Sequence, residues 1–324
     1  MFRAGILGAG WIAADHVAAL AKRDDTQVVA VCDLDRTRAE ELAPEGAGVY
    51  EQWKELLDGE RLDAVWVCLP PLVHREPTVT ALERGIHVYL EKPIARTTED
   101  AEAIVAAAER STAVCAIGYQ WHATQALDDI RRVLDGQEIS LLAGRSIGPT
   151  GSRPWFLDRA QGGGNVLERG SHQIDLARAI VGDVARVQAA ASDVLLAQAD
   201  GDRGDIEDAA TLVLHHENGA VSTIVLAWTR AGLPGIYGVD VVATEATLQL
   251  ALDPEFRLRG VSRGEQVEAR ATQHPFDRSI DRFLQAVREG DPSRVFCTPR
   301  DAAGTLAVAN ACERALASGE TVAV

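Results

Sequence analysis

Lysine is nearly missing from this 324-residue chain: only Lys22, Lys54 and Lys92 are lysines, and the other 29 basic residues are arginines. Basic charge is short as a whole, with 32 Lys and Arg against 48 Asp and Glu and a formal net charge of −16. Nucleic acids and anionic membrane surfaces both select for basic protein surface, so neither is expected as a partner. No segment approaches the roughly 18 uninterrupted apolar residues that a membrane span needs. The apolar start is broken by Gly5, Gly8 and Gly10 and ended by Asp15, so it reads as folded structure and not as a secretory signal. The five cysteines (Cys32, Cys68, Cys115, Cys297, Cys312) show no paired spacing, and the first three lie inside apolar runs. No disulfide or metal role is expected of them, and they read as small core residues of a reducing compartment, the cytoplasm.

At roughly 100–200 residues per domain the length predicts two domains. Through residue 121, near-continuous apolar runs at Arg3–Leu7, Gln27–Cys32, Ala64–Leu69, Ile86–Leu90 and Ala113–Gly118 alternate with stretches of helical spacing. Strands covered on both faces read this way, so an α/β domain with a doubly wound parallel sheet is expected over 1–121. Thr97 or Thr98 is the expected N-cap of the helix ending near Arg110, with Glu99 and Asp100 where the helix dipole favours them. From 122 to 324 the pattern changes to longer alternating strands, and Asn218-Gly219 between two of them is a hairpin signal. An α+β domain with a large, mainly antiparallel open sheet is expected there, with a Gly/Pro-rich stretch from Gly144 to Gly164 and the closing helix free to pack back on the first domain.

Gly8-Ala9-Gly10-Trp11-Ile12-Ala13 falls where the first strand gives way to a helix. Gly8 suits the tight turn, Gly10 lets a pyrophosphate approach the backbone, and a small residue at 13 suffices for helix packing. Asp33 ends the second strand, where a carboxylate accepts from ribose hydroxyls and repels a 2′-phosphate. NAD is therefore favoured over NADP, with Gly8, Gly10, Trp11, Ile12 and Asp33 as cofactor residues. Glu91-Lys92-Pro93 ends the fourth strand run, at the sheet edge where open α/β folds place their ligands. A chain that otherwise takes Arg kept Lys at 92, and Lys supplies a compact ammonium that its surroundings can tune.

In the second half, Gly162-Gly163-Gly164 precedes Glu168, His172 and Asp175, whose spacings of four and three place them on one side of a helix. The glycines are expected to let the backbone pass close to a ligand, and Gly170 puts a continuous helix in question. His172 is the expected general base. A metal site from Glu168, His172 and Asp175 is the rival reading, since two carboxylates and an imidazole are acceptable ligands.

With these motifs, the chain resembles the glucose–fructose oxidoreductase / inositol dehydrogenase (Gfo/Idh/MocA) family essentially end to end. Gly118-Tyr119-Gln120, Trp155 before the glycine run, Asp208 and the Asn218-Gly219 turn add to the likeness. The resemblance implies a Rossmann domain followed by an open-sheet domain used for dimerisation, hence a homodimer or homotetramer through that sheet. It implies Lys92 on the substrate hydroxyl, His172 in acid/base catalysis, Glu168 in support, and Glu91 with Lys92 beside the cofactor. Substrates are expected among sugars, cyclic polyols and their derivatives, with Tyr119, Trp121, Arg153, Trp155, Arg169 and Asp175 as candidate contacts and no metal. The chain departs from the family pattern in three ways: Glu168 where Asp is usual, Trp121-His122 where Arg is common, and Arg169 in place of an apolar residue. Relatives also include redox-neutral NAD-dependent glycoside hydrolases and non-catalytic nucleotide sensors. Lys92 and His172 together weigh against a sensor.

Overall fold

The computed structural model describes residues 1–149, 157–194, 205–229 and 232–324. They form two compact units, one of residues 1–119 and 277–303, the other of residues 120–276 and 304–324.

The first unit is wound in the order β1 (Phe2–Leu7), α1 (Trp11–Ala21), β2 (Thr26–Cys32), α2 (Arg36–Leu42), β3 (Gly48–Tyr50), α3 (Trp53–Gly59), β4 (Ala64–Val67), α4 (Arg75–Glu83), β5 (His87–Leu90), α5 (Thr98–Arg110) and β6 (Cys115–Ile117). Its six strands are parallel and ordered β3-β2-β1-β4-β5-β6. The strand order reverses between β1 and β4, the switch point at which such sheets bind ligands. The expected apolar runs are strands because both faces are covered: Ala4, Ile6, Leu7, Val31, Val65, Trp66 and Leu90 are buried. Trp66 stacks on Tyr89 at 5.9 Å, and Phe283 meets both rings edge-on at 5.4 and 5.6 Å. Helix α5 begins as expected, with the Thr97 side chain accepting from the Asp100 N–H and Glu99 and Asp100 in the first turn. The sixth strand, β3, was not expected; three residues are too few to show a period.

The second unit holds α6 (Gln125–Val133), β7 (Ile139–Pro149), α7 (Arg159–Gly162), α8 (Ser171–Val181), β8 (Val184–Ser192), β9 (Ala209–His216), β10 (Val221–Thr229), β11 (Ile236–Ala243), β12 (Ala246–Ala251), β13 (Arg257–Ser262) and β14 (Glu265–Arg270). Helices α9 (Pro275–Glu289) and α10 (Pro299–Ser318) and the short β15 (Val322–Ala323) close the chain. The nine-stranded sheet runs β14-β13-β12-β11-β7-β10-β9-β8-β15, antiparallel except for the parallel pair β7 and β10. The Asn218-Gly219 hairpin is present, with Gly219 at φ +91° and the His216 N–H bonded to the Ala220 carbonyl at 2.9 Å.

Strand β7 was not among the expected strands and runs into the Gly/Pro-rich stretch that starts at Gly144. Its glycines make room for side chains lying over the sheet: a Cβ on Gly144 would come within 2.6 Å of Gln173 Oε1, and one on Gly148 within 2.0 Å of the Tyr237 hydroxyl. Helix α8 packs across β7 and β10 on the buried face of the sheet. Gln173 fastens it there, donating from Nε2 to the Arg145 carbonyl at 2.8 Å. Among the described residues no helix is long and apolar enough to cross a membrane.

Candidate functional site

In the first unit the nucleotide turn is shaped by backbone crowding. Gly8 has φ +93°, and a Cβ there would lie 2.5 Å from the Cys68 carbonyl oxygen on the neighbouring strand end. Only glycine meets both conditions. The Asp33 carboxylate ties the turn together, accepting from the Ala9 N–H at 2.7 Å through Oδ2 and from the Asp35 N–H at 2.9 Å through Oδ1. Asp33 is half-buried, so it holds the loop while keeping an exposed edge. Gly10 starts α1 with no side-chain cap and no acidic residue in the first turn. The helix thus presents uncapped N–H groups and the positive end of its dipole beside the turn, which fits a pyrophosphate. Trp11, in that first turn, is 55% exposed, and Ile12 is half-buried.

At the end of β5, Glu91 and Lys92 part company. Lys92 is half-buried, whereas the Glu91 side chain turns inward, with Oε1 at 2.8 Å from His16 Nε2 and Oε2 accepting from the Lys92 N–H at 3.2 Å. His74, fully buried, places Nε2 at 2.7 Å from the Leu69 carbonyl and Nδ1 at 3.2 Å from that of Ile94, two residues beyond Lys92. Burial holds the His74 imidazole below its ordinary 6.5, against the opposing pull of the two carbonyls and the Glu91 charge. Tyr119 is buried at the end of the unit.

In the second unit, Val166–Gly170 forms a wide π-helical turn that runs directly into α8. Gly170 therefore continues the helical path. A Cβ there would press within 2.7 Å of Leu226 Cδ1, so glycine is required by packing against β10. Widened turns of this kind recur at functional sites. Glu168 and Asp175 are buried, and His172 is half-buried with its ring centroid 4.9 Å from that of Trp121. Trp121 also packs 5.8 Å from Tyr237, a contact between residues 116 positions apart in sequence that no local pattern announces.

Asp175, Arg169 and the glycine run each have partners within this unit. Asp175 faces His122, whose Nδ1 lies 3.1 and 3.3 Å from its two oxygens. The Arg169 guanidinium sits 3.9 Å over the Trp228 ring and donates to the Pro149 carbonyl at 2.8 Å; burial holds its basicity below the usual guanidinium value. The glycine run is filled by the protein itself, correcting the expectation that it opens backbone to a ligand. A Cβ on Gly163 would meet Leu167 Cδ2 at 2.4 Å, and one on Gly164 would meet Glu207 Oε2 at 2.9 Å. Buried Glu207 pairs with Arg159 and accepts from the Val166 N–H at 3.0 Å, fixing the start of the wide turn. Arg153 and Trp155 lie outside the described residues.

His16, His74, His122 and Glu207 were not anticipated. For His16 a signal existed, since it shares the stripe of buried Ala13, Ala19 and Leu20 on α1. The others depend on long-range partners.

Residues 2–119 match the model described as oxidoreductase family, NAD-binding Rossmann fold, and residues 138–249 match the GFO/IDH/MocA C-terminal domain. The chain is 30% identical to inositol 2-dehydrogenase 2 of Saccharopolyspora erythraea, over 99% of this chain and 94% of that protein. It is 30% identical to D-apiose dehydrogenase of Paraburkholderia graminis, over 78% of this chain and 68% of that protein. A levoglucosan dehydrogenase solved with NADH and levoglucosan shares the fold, with a TM-score of 0.86 at 18% identity over 100% of this chain and 99% of that one. By these matches over both halves, the chain belongs to the Gfo/Idh/MocA family of oxidoreductases.

Proposed function

We propose that the protein is an NAD-dependent dehydrogenase that oxidises a secondary alcohol of a sugar, cyclic polyol or derivative, or reduces the matching ketone. The observation that carries the cofactor reading is Asp33. Its carboxylate is anchored to the glycine turn with an exposed edge beside the uncapped start of α1. A negative charge fixed there suits ribose hydroxyls and opposes a 2′-phosphate. Gly8, Gly10, Trp11 and Ile12 line the same turn, and the bound nicotinamide supplies hydride acceptance or donation.

The chain's own groups supply the rest. Lys92 donates a hydrogen bond from its ammonium to the reacting oxygen and stabilises the negative charge that develops on it. An imidazole nitrogen of His172 takes the hydroxyl proton in oxidation and returns it in reduction. Trp121 limits the ring positions open to His172, and Glu168, buried one turn earlier, supports the proton transfer. Support for substrates of the sugar and polyol class comes from the relatives, which are named inositol and apiose dehydrogenases.

The cytoplasm is the proposed location, in keeping with five free cysteines. A second copy is proposed on the outer face of the nine-stranded sheet. Leu141, Val225, Ile236 and Val261 lie on that one face at 37–54% exposure, around a polar ladder from Arg145 through Asp240 and Gln249 to Arg259. Light scattering of the wild type and of Leu141→Asp tests this, with a monomeric wild type as the contrary result.

A panel of sugars, inositols and their acids, incubated with NAD or NADP and followed by nicotinamide absorbance with product analysis, tests the function. Reduction of NAD by at least one polyol is expected. Conversion of a glycoside without net reduction, or turnover with NADP alone, contradicts the reading.

A further inference from the structure

We propose that His16 and Glu91 are positioning residues for Lys92, forming a buried polar brace that joins helix α1 to the backbone of the lysine. The inference rests on the reading of Lys92 as the group that meets the reacting oxygen.

His16 is 0% exposed and Glu91 8% exposed, within a unit whose core is otherwise almost wholly apolar. Burying a carboxylate is costly unless partners replace its water. Those partners are specific: Oε1 lies 2.8 Å from His16 Nε2, and Oε2 accepts the Lys92 N–H at 3.2 Å. Room for the carboxylate is kept by Gly118 on the adjoining strand end, where a Cβ would come within 3.1 Å of the Glu91 carboxyl carbon. The His16 ring is further seated against Tyr89, 5.1 Å between centroids.

For packing alone an apolar side chain would serve at position 16, as Ala13, Ala19 and Leu20 do among the buried residues of the same helix. What apolar residues cannot do is hold the Lys92 amide at a fixed point. His16 sits in the second turn of α1, the helix that starts at the nucleotide turn, so the brace ties the place of Lys92 to the element that seats the cofactor. From the other side, His74 grips the chain at Ile94 and Leu69. Lys92 is thus fixed before and after.

The scarcity of lysine makes the test direct. With ¹³C-labelled lysine the full chain gives signals from Lys22, Lys54 and Lys92 alone, assigned by Lys22→Arg and Lys54→Arg. In Glu91→Gln and His16→Leu the Lys92 signal is expected to move by more than a linewidth while those of Lys22 and Lys54 hold. His16→Gln keeps an N–H donor toward Glu91 and should return the Lys92 signal toward its wild-type position. With the most active sugar of the panel, His16→Leu should lower turnover on the order of 10–100-fold with KM held, since displacement of a reacting group by ~1 Å is that costly. His16→Gln should recover most of the loss.

A Lys92 signal unmoved in Glu91→Gln and in both His16 variants overturns the brace. So does an equal fall in melting temperature and turnover for His16→Leu and His16→Gln, which marks a packing role only. If His16→Leu fails to fold, Glu91→Gln and His16→Gln carry the test. The lysine signals are read without substrate, so they stand even if the panel yields no dehydrogenase activity. An active enzyme with an unmoved Lys92 overturns the brace alone.

Discussion

Two glycine turns invite comparison, because the same residue does opposite work in each. At Gly8-Ala9-Gly10 glycine is forced by the main chain: Gly8 lies against the Cys68 carbonyl with positive φ, and the helix after it begins without a cap. The Gly8 and Ala9 N–H groups are held by the Cys32 carbonyl and the Asp33 carboxylate, and the first N–H groups of the helix have no side-chain cap. At Gly162-Gly163-Gly164 the space beside the glycines is taken by Leu167 and by the Glu207–Arg159 pair. There, glycine lets side chains lock the wide turn that carries Glu168 and runs into the helix of His172. A glycine-rich segment therefore says that something comes close to the backbone. Whether that is a ligand or the protein itself is decided by residues far away in sequence.

Substitutions can break this contrast. Gly8→Ala should have the largest effect: positive φ costs a non-glycine residue about 1–2 kcal/mol, and the carbonyl clash adds to it. Loss of NADH binding, followed by nicotinamide fluorescence, is expected. His172→Ala should lower turnover by about 10²–10⁴ while NADH still binds, because its contribution is proton transfer. Gly164→Ala should lower stability by about 1–2 kcal/mol in a denaturant titration, since the Glu207 carboxylate can shift where a main-chain carbonyl cannot, and NADH affinity should hold. Equal loss of NADH binding in the two glycine variants would erase the distinction. Asp33→Ala removes the acceptor of the Ala9 N–H and should weaken NAD binding about tenfold while relaxing discrimination against NADP, the scale of one or two hydrogen bonds to a charged group.

The smallest effect concerns pH and touches both regions. Burial holds His74 in one unit and His216 in the other below the ordinary 6.5. The unfolded chain therefore takes up protons first as pH falls. Stability is full above about 6.5 and declines below it, which a series of thermal melts would show as a falling Tm. A Tm that rises on acidification would contradict the assignment of both as buried, neutral imidazoles.

Much of the first unit was legible in the sequence, because each of its signals is local. A strand covered on both faces is an apolar run, a helix start is Thr97 with Asp100 three residues on, and the nucleotide turn adjoins its strand and helix. Strand β3 escaped by its shortness. In the second unit the strands with alternating faces were readable, but β7 was hidden by glycines whose partners, Gln173 and Tyr237, lie in other elements. Edge strand β14 was hidden too, as its residues alternate between exposed and half-buried with no apolar face. For the site, residue types at 8, 33, 92 and 172 could be picked out, whereas the orientation of Glu91 toward His16, of Asp175 toward His122 and of Arg169 onto Trp228 is set by tertiary packing. The three lysines remain the most useful compositional clue, since they separate Lys92 from a background of arginine.

The central claim is hydride transfer between a carbinol carbon and the nicotinamide. Its most direct test takes the most active polyol of the panel, deuterated at the carbon that is oxidised, and follows the label after reaction with NAD. The account predicts deuterium at nicotinamide C4 in an amount equal to the ketone formed, with transfer suppressed in His172→Ala. Label released to water, or product formed with no deuterium on the nicotinamide, would contradict it.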